Sequence, residues 1–75
     1  MPKIFSGKKV IKILCRDFGF RFVSQKGSHV KLKKIVDNQE IITIVPLHKE
    51  LALGTMRGVL ELARIDEKEF RKRTK

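Results

Sequence analysis

Seventy-five residues, 41% of them hydrophobic, suit one small domain and are too few for two, and so short a chain buries a smaller share of its surface than a larger one. Eighteen lysines and arginines against eight carboxylates give a formal net charge of +10, which favours a polyanionic partner: nucleic acid, an anionic membrane or an acidic protein. A single cysteine excludes an internal disulfide and a cysteine-rich zinc site, and no stretch approaches the ~20 apolar residues of a membrane helix.

The segment Met1-Pro2-Lys3-Ile4-Phe5 lacks the apolar core of a signal peptide, so a soluble, cytoplasmic protein is expected. Ser6 is a candidate N-cap for a helix over residues 7–18, in which Val10, Ile11, Leu14 and Phe18 follow a helical period and Gly19 supplies the stop. Lys8, Lys12 and Arg16 recur at i, i+4 as a basic row beside that stripe. Cys15 falls among the apolar positions and is expected to be a small buried hydrophobe rather than a nucleophile.

Phe20 to Ser24 is rich in aromatic and β-branched residues and predicts a first strand, followed by a turn at Gln25-Lys26-Gly27. His29 to Ile35 predicts a second strand, Asp37-Asn38 a turn, and Glu40 to Pro46 a third strand that proline ends because it has no N–H for the ladder. Alternation puts Val30 and Leu32 on one face of the second strand and His29, Lys31 and Lys33 on the other. The third strand has apolar side chains on both faces, with Ile42 and Ile44 opposing Ile41 and Val45, as in a central strand or one lying under a partner.

After Leu47-His48-Lys49-Glu50-Leu51, a helix is predicted from about Gly54-Thr55, with Met56, Val59, Leu60 and Ala63 at core spacing. Asp66-Glu67-Lys68-Glu69 has the form of a capping box opening a short last helix anchored by Phe70, and residues 71–75 are expected to be a fraying basic tail. One core is expected from Val10, Leu14, Phe22, Leu32, Val59 and Leu60, with Gly19 closing the first helix. The fold class is therefore α+β: a three-stranded antiparallel sheet with helices on one face.

The chemistry centres on Gly27-Ser28-His29. A histidine exchanges protons near neutral pH, its unperturbed pKa being about 6.5, while neighbouring lysines stay charged and attract phosphate. His29 could take the proton of a ribose 2′-hydroxyl and turn it on the adjacent phosphorus, with lysines stabilising the charge that develops on phosphate oxygens. Gly27 and Ser28 could offer amides and a hydroxyl to phosphate, or form an ordinary hairpin turn. His48 could act as a second acid, bind phosphate, or fix local hydrogen bonds. Two histidines and scattered carboxylates show no metal-ligand spacing, and no cofactor is expected.

Several stretches together resemble the HicA family of toxin ribonucleases, also called YcfA-like proteins. They are Ser6-Gly7-Lys8 entering the first helix, Gly19-Phe20 leaving it, Gln25-Lys26-Gly27-Ser28-His29, Val45-Pro46 followed by His48, and Gly54-Thr55 opening the helix that carries Leu60. The likeness spans Ser6 to about Phe70. It implies an α-β-β-β-α fold similar to double-stranded-RNA-binding domains, metal-independent cleavage of messenger RNA, and neutralisation by a HicB-type antitoxin. The family's catalytic histidine falls on His29; around it the residues themselves offer Lys26, Gly27, Ser28, Lys31 and Lys33 as the candidate RNA-binding set, with His48 a candidate auxiliary. Lys34 to Glu40 departs from the short Pro-Asp-Gly type of turn common in that family. Two other functions fit the same charge: a non-catalytic RNA-binding module, which needs the lysines but not His29, and a basic adaptor for an acidic protein.

Overall fold

The structure, a computed structural model, describes residues 3–74. Met1, Pro2 and Lys75, on which parts of the expectations for a leader and a basic tail fall, lie outside the described residues. The elements run α1 (Gly7–Asp17), β1 (Arg21–Lys26), β2 (His29–Val36), β3 (Gln39–Pro46), α2 (Leu53–Leu62) and α3 (Glu67–Lys72). No helix is long and apolar enough to cross a membrane among the described residues.

Ser6 caps α1 as expected, its hydroxyl accepting from the Lys9 amide at 3.0 Å, which satisfies one of the helix's orphan donors. Gly19, at φ 78, turns the chain so that the Phe20 amide returns to the Leu14 carbonyl. Asp37 and Asn38 both take positive φ, the requirement of a two-residue type I′ hairpin, so β2 and β3 extend to Val36 and from Gln39. The α2 helix begins at Leu53, slightly earlier than Gly54-Thr55, and ends in a Schellman motif. There Arg64 adopts φ 58, its amide meets the Glu61 carbonyl, and the Ile65 amide meets Leu60.

The sheet is antiparallel in the order β1-β2-β3, with the helices on one face, giving the α-β-β-β-α order of double-stranded-RNA-binding domains plus a short last helix. Val30, Leu32, Ile41 and Val45 face Val10, Leu14, Met56, Val59, Leu60 and Ala63 in one buried cluster, and Thr43, fully buried, donates to the Val59 carbonyl at 2.8 Å. Ile13 and Phe20 are buried where Ile11 and Phe18 were the expected positions; the latter two are half-buried against the same cluster.

Phe22 is not core. It pairs with Leu32 and so has the inward parity, but it is 59% exposed because α1 and α2 pack against β3 and leave β1 open along its length. The apolar residues on both faces of β3 do not make it central either, since it is an edge strand whose Ile42 and Ile44 lie on the face without helices.

The last helix differs from expectation in two ways. Asp66 makes no side-chain cap, and Glu69 pairs with Lys72 at 3.1 Å instead of reaching back, so the capping box does not form. The segment from Arg71 is no fraying tail through Arg73: Arg71 and Lys72 complete α3, and Arg71 donates to Glu67 at 2.9 Å and to the Lys3 carbonyl at 3.0 Å. Phe70 is fully buried, edge-on to Phe5 at 5.9 Å and stacked with Phe18 at 6.4 Å, with the Arg71 and Arg73 guanidiniums over those two rings.

Candidate nucleic-acid interface

The β1–β2 connection is tighter than the sequence suggests. The strand continues through Gln25 and Lys26, and the turn is Gly27-Ser28 alone, closed by the pair Lys26 and His29. Only Gly27 of the two takes positive φ, at 58°, the sign pattern of a II′ hairpin, and Gln25 clamps the turn by donating to the Gly27 carbonyl at 2.9 Å. Both Gly27 and Ser28 are exposed, and no atom lies within 4 Å of where a Gly27 side chain would start.

His29 opens β2 and is exposed, with its neighbour Val30 buried, so the strand parity read from the sequence is the one observed. Partners across an antiparallel ladder share a face, which places Lys26, Ser24 and Arg21 of β1 beside His29, Lys31 and Lys33 of β2. Across β2, the same face carries Ile44 opposite Lys31, Ile42 opposite Lys33 and Glu40 opposite Ile35. The helix-free face is therefore basic with an apolar strip, and Ile35 and Ile44 are exposed on it.

The lysines of this face are not equivalent. Lys33 pairs with Glu40 at 3.3 Å, whereas Lys26 and Lys31 meet no carboxylate among the described residues. Sequence reasoning missed Arg21 and Ser24. A bulge at Val23 shifts the β1 register between Phe22 and Ser24, so simple alternation along β1 could not place them on one face.

A second group of residues meets at the His29 end of the sheet. Pro46 is the register partner of His29, the Leu47 amide donates to the Ser28 carbonyl at 2.6 Å, and the Gly7 amide donates to the His48 carbonyl at 2.9 Å. Gly7 is buried here, and a Cβ at this position would collide with the Pro46 carbonyl oxygen. The hairpin turn, the loop after β3 and the start of α1 thus form one corner, with His48 exposed on it. Cys15 lies away from it, half-buried, and burial pushes its thiol pKa up, away from thiolate chemistry. Among the described residues no three His, Cys, Asp or Glu side chains gather as metal ligands.

The chain is thus a small α+β domain with the element order of double-stranded-RNA-binding domains that presents a basic sheet face with a histidine at its rim. The family model described as the HicA toxin of bacterial toxin-antitoxin matches residues 7–65, from the first residue of α1 to just past α2. The chain belongs to the HicA toxin family and is the toxin of a toxin-antitoxin system. A search of the curated proteins finds no match.

Proposed function

We propose that this chain is a metal-independent endoribonuclease that cleaves messenger RNA in the cytoplasm with His29 as the general base. The observation that carries this is the family match together with an exposed histidine standing among unpaired lysines on the helix-free face. Neutral His29 accepts the proton of a ribose 2′-hydroxyl, and the freed oxygen attacks the adjacent phosphorus. The O2′–P bond forms as the P–O5′ bond breaks, the departing O5′ takes a proton from water, and the hydroxide left behind takes the proton held on His29. Lys26 and Lys31 stabilise the charge that grows on the non-bridging oxygens, while the Gly27-Ser28 turn lets the RNA backbone approach the strand closely.

Mapping the ends of a defined RNA cut in the presence of a chelator tests this reading. A 2′,3′-cyclic phosphate and a 5′-hydroxyl are the expected products; a 3′-hydroxyl with a 5′-phosphate, or loss of cutting in chelator, contradicts it. RNA that is bound and left intact would favour the non-catalytic module. Neutralisation is by a HicB-type antitoxin that covers the His29 face. The exposed Ile35 and Ile44 among lysines suit a partner with acidic groups around an apolar centre. Lysine acetylation footprinting should then show Lys31 protected in the complex, and an unprotected Lys31 would place the antitoxin elsewhere.

A further inference from the structure

The corner where α1 begins holds a cavity of about 330 Å³, open to solvent and lined by Ser6 and Lys8 from the start of α1 and by Leu47, His48 and Lys49 from the loop after β3. Its volume is at the lower end of the ~300–1,000 Å³ of ligand pockets, room for a phosphate with its sugar and far more than one water needs. Its lining is one-signed: two lysines and a histidine line it, no acidic residue does, and no ion pair engages Lys8, His48 or Lys49 among the described residues. The Gly7 and Lys9 amides are already bonded, to the His48 carbonyl and the Ser6 hydroxyl, which leaves the Lys8 amide and the lining side chains as the groups open to a ligand.

This cavity is tied to the His29 strand by the Leu47 to Ser28 hydrogen bond and by the pairing of Pro46 with His29. We infer that it is a substrate subsite that holds a backbone phosphate of the RNA, with its ribose against Leu47, at a fixed offset from the bond that His29 cleaves. The inference rests on the ribonuclease reading and deepens it. Lys8 and Lys49 supply the charge, and His48 is a phosphate ligand, not the acid that protonates the leaving oxygen.

The test uses the full chain and a set of single-stranded RNA 12-mers, each with one phosphate replaced by a neutral methylphosphonate. Affinity is measured in a His29→Gln background and cleavage with His29 present. In the His29→Gln protein, neutralising one phosphate, other than the scissile one, should weaken binding several-fold. In the same protein carrying Lys8→Ala and Lys49→Ala, that position should cease to matter and the slope of log affinity against log salt should flatten by about 0.7, the value for one single-strand phosphate. With His29 restored, His48→Asn should raise the RNA concentration needed for half-maximal single-turnover cleavage and leave the saturating rate unchanged.

A double lysine variant that keeps the parent's affinity, slope and methylphosphonate pattern, with circular dichroism showing the fold intact, overturns the subsite and leaves the ribonuclease reading standing. A saturating rate that collapses in His48→Asn overturns the assignment of His48. The pocket-dependent position with no cleavage by the unsubstituted chain sinks the catalytic reading and with it the offset from a cleaved bond, leaving the cavity as a phosphate site of an RNA-binding module. No binding to any 12-mer sinks both.

Discussion

Gly7 and Gly27 are both glycine for reasons the structure separates. Gly7 lies where the start of α1 meets Pro46, and any side chain would strike the Pro46 carbonyl; Gly27 faces open space but needs a positive φ. Gly7→Ala should therefore destabilise through overpacking, by about 1–3 kcal/mol, and disturb the His48 corner with it. Gly27→Ala should lose about 1–2 kcal/mol through backbone conformation alone. Urea midpoints of the two variants check this, and an unshifted Gly7→Ala would mean that the α1 corner is not packed as described. Lys31 and Lys33 separate in the same way. Glu40 already engages Lys33, so Lys31→Ala should flatten the salt dependence of RNA affinity by about 0.7 in log–log slope and Lys33→Ala by less. Equal effects would show that the Lys33–Glu40 pair does not persist in solution.

At the scale of elements, the strands and the two main helices were legible because local signals agreed with the global packing. Ser6, Gly19 and the Asp37-Asn38 turn each mark a boundary that the backbone keeps. What was not legible depends on which element covers which. Phe22 has the right parity for the core, but no periodicity reveals that the helices lie over β3 and not β1. Ile13, three residues after Val10, fits the helical period as well as Ile11 does, and only packing decides between them. At the site, His29's exposure followed from strand parity, whereas the meeting of Ser6, Lys8 and His48 hangs on the Gly7 to His48 and Leu47 to Ser28 bonds, which join segments far apart in sequence.

Two element ends carry predictions of their own. Arg64 closes α2 at φ 58, a conformation glycine adopts without a steric penalty, so Arg64→Gly should stabilise by up to about 1 kcal/mol, offset by the loss of its bond to Gln39. A lowered melting temperature would show that the Gln39 bond outweighs the cap. At the start of α3, hydrogen bonds from Arg57 and then Arg71 hold the Glu67 carboxyl below its ordinary pKa. A depressed folded-state pKa makes its contribution fully present above the unfolded value of about 4.3 and lost as pH falls through the lower folded value. Glu67→Gln should thus melt below wild type at neutral pH and match it in strong acid. A gap that stays constant with pH would remove the charge from the explanation.

For the molecule as a whole, stability and the proposed function draw on opposite faces of one sheet. The helix side carries the core, and at about 0.05–0.15 kcal/mol per residue a chain of 75 residues has a margin of only about 4–11 kcal/mol. The other side is left bare, and a net charge of +10 would draw polyanions to it with or without cleavage. Charge and binding alone therefore cannot separate a ribonuclease from an RNA-binding module; a test of proton transfer at His29 can. Because His29 is exposed and its neighbours Val30 and Leu32 hold the strand in the core, its truncation opens no cavity. The most direct measurement is single-turnover RNA cleavage by wild type, His29→Ala and His29→Gln at matched RNA occupancy, with circular dichroism confirming the fold. Glutamine keeps a hydrogen-bonding side chain but cannot exchange a proton near neutral pH, so both variants should bind RNA and cleave it about 10²–10⁴-fold more slowly than wild type. A folded His29→Gln that cleaves at the wild-type rate would contradict the assignment of His29 as the general base.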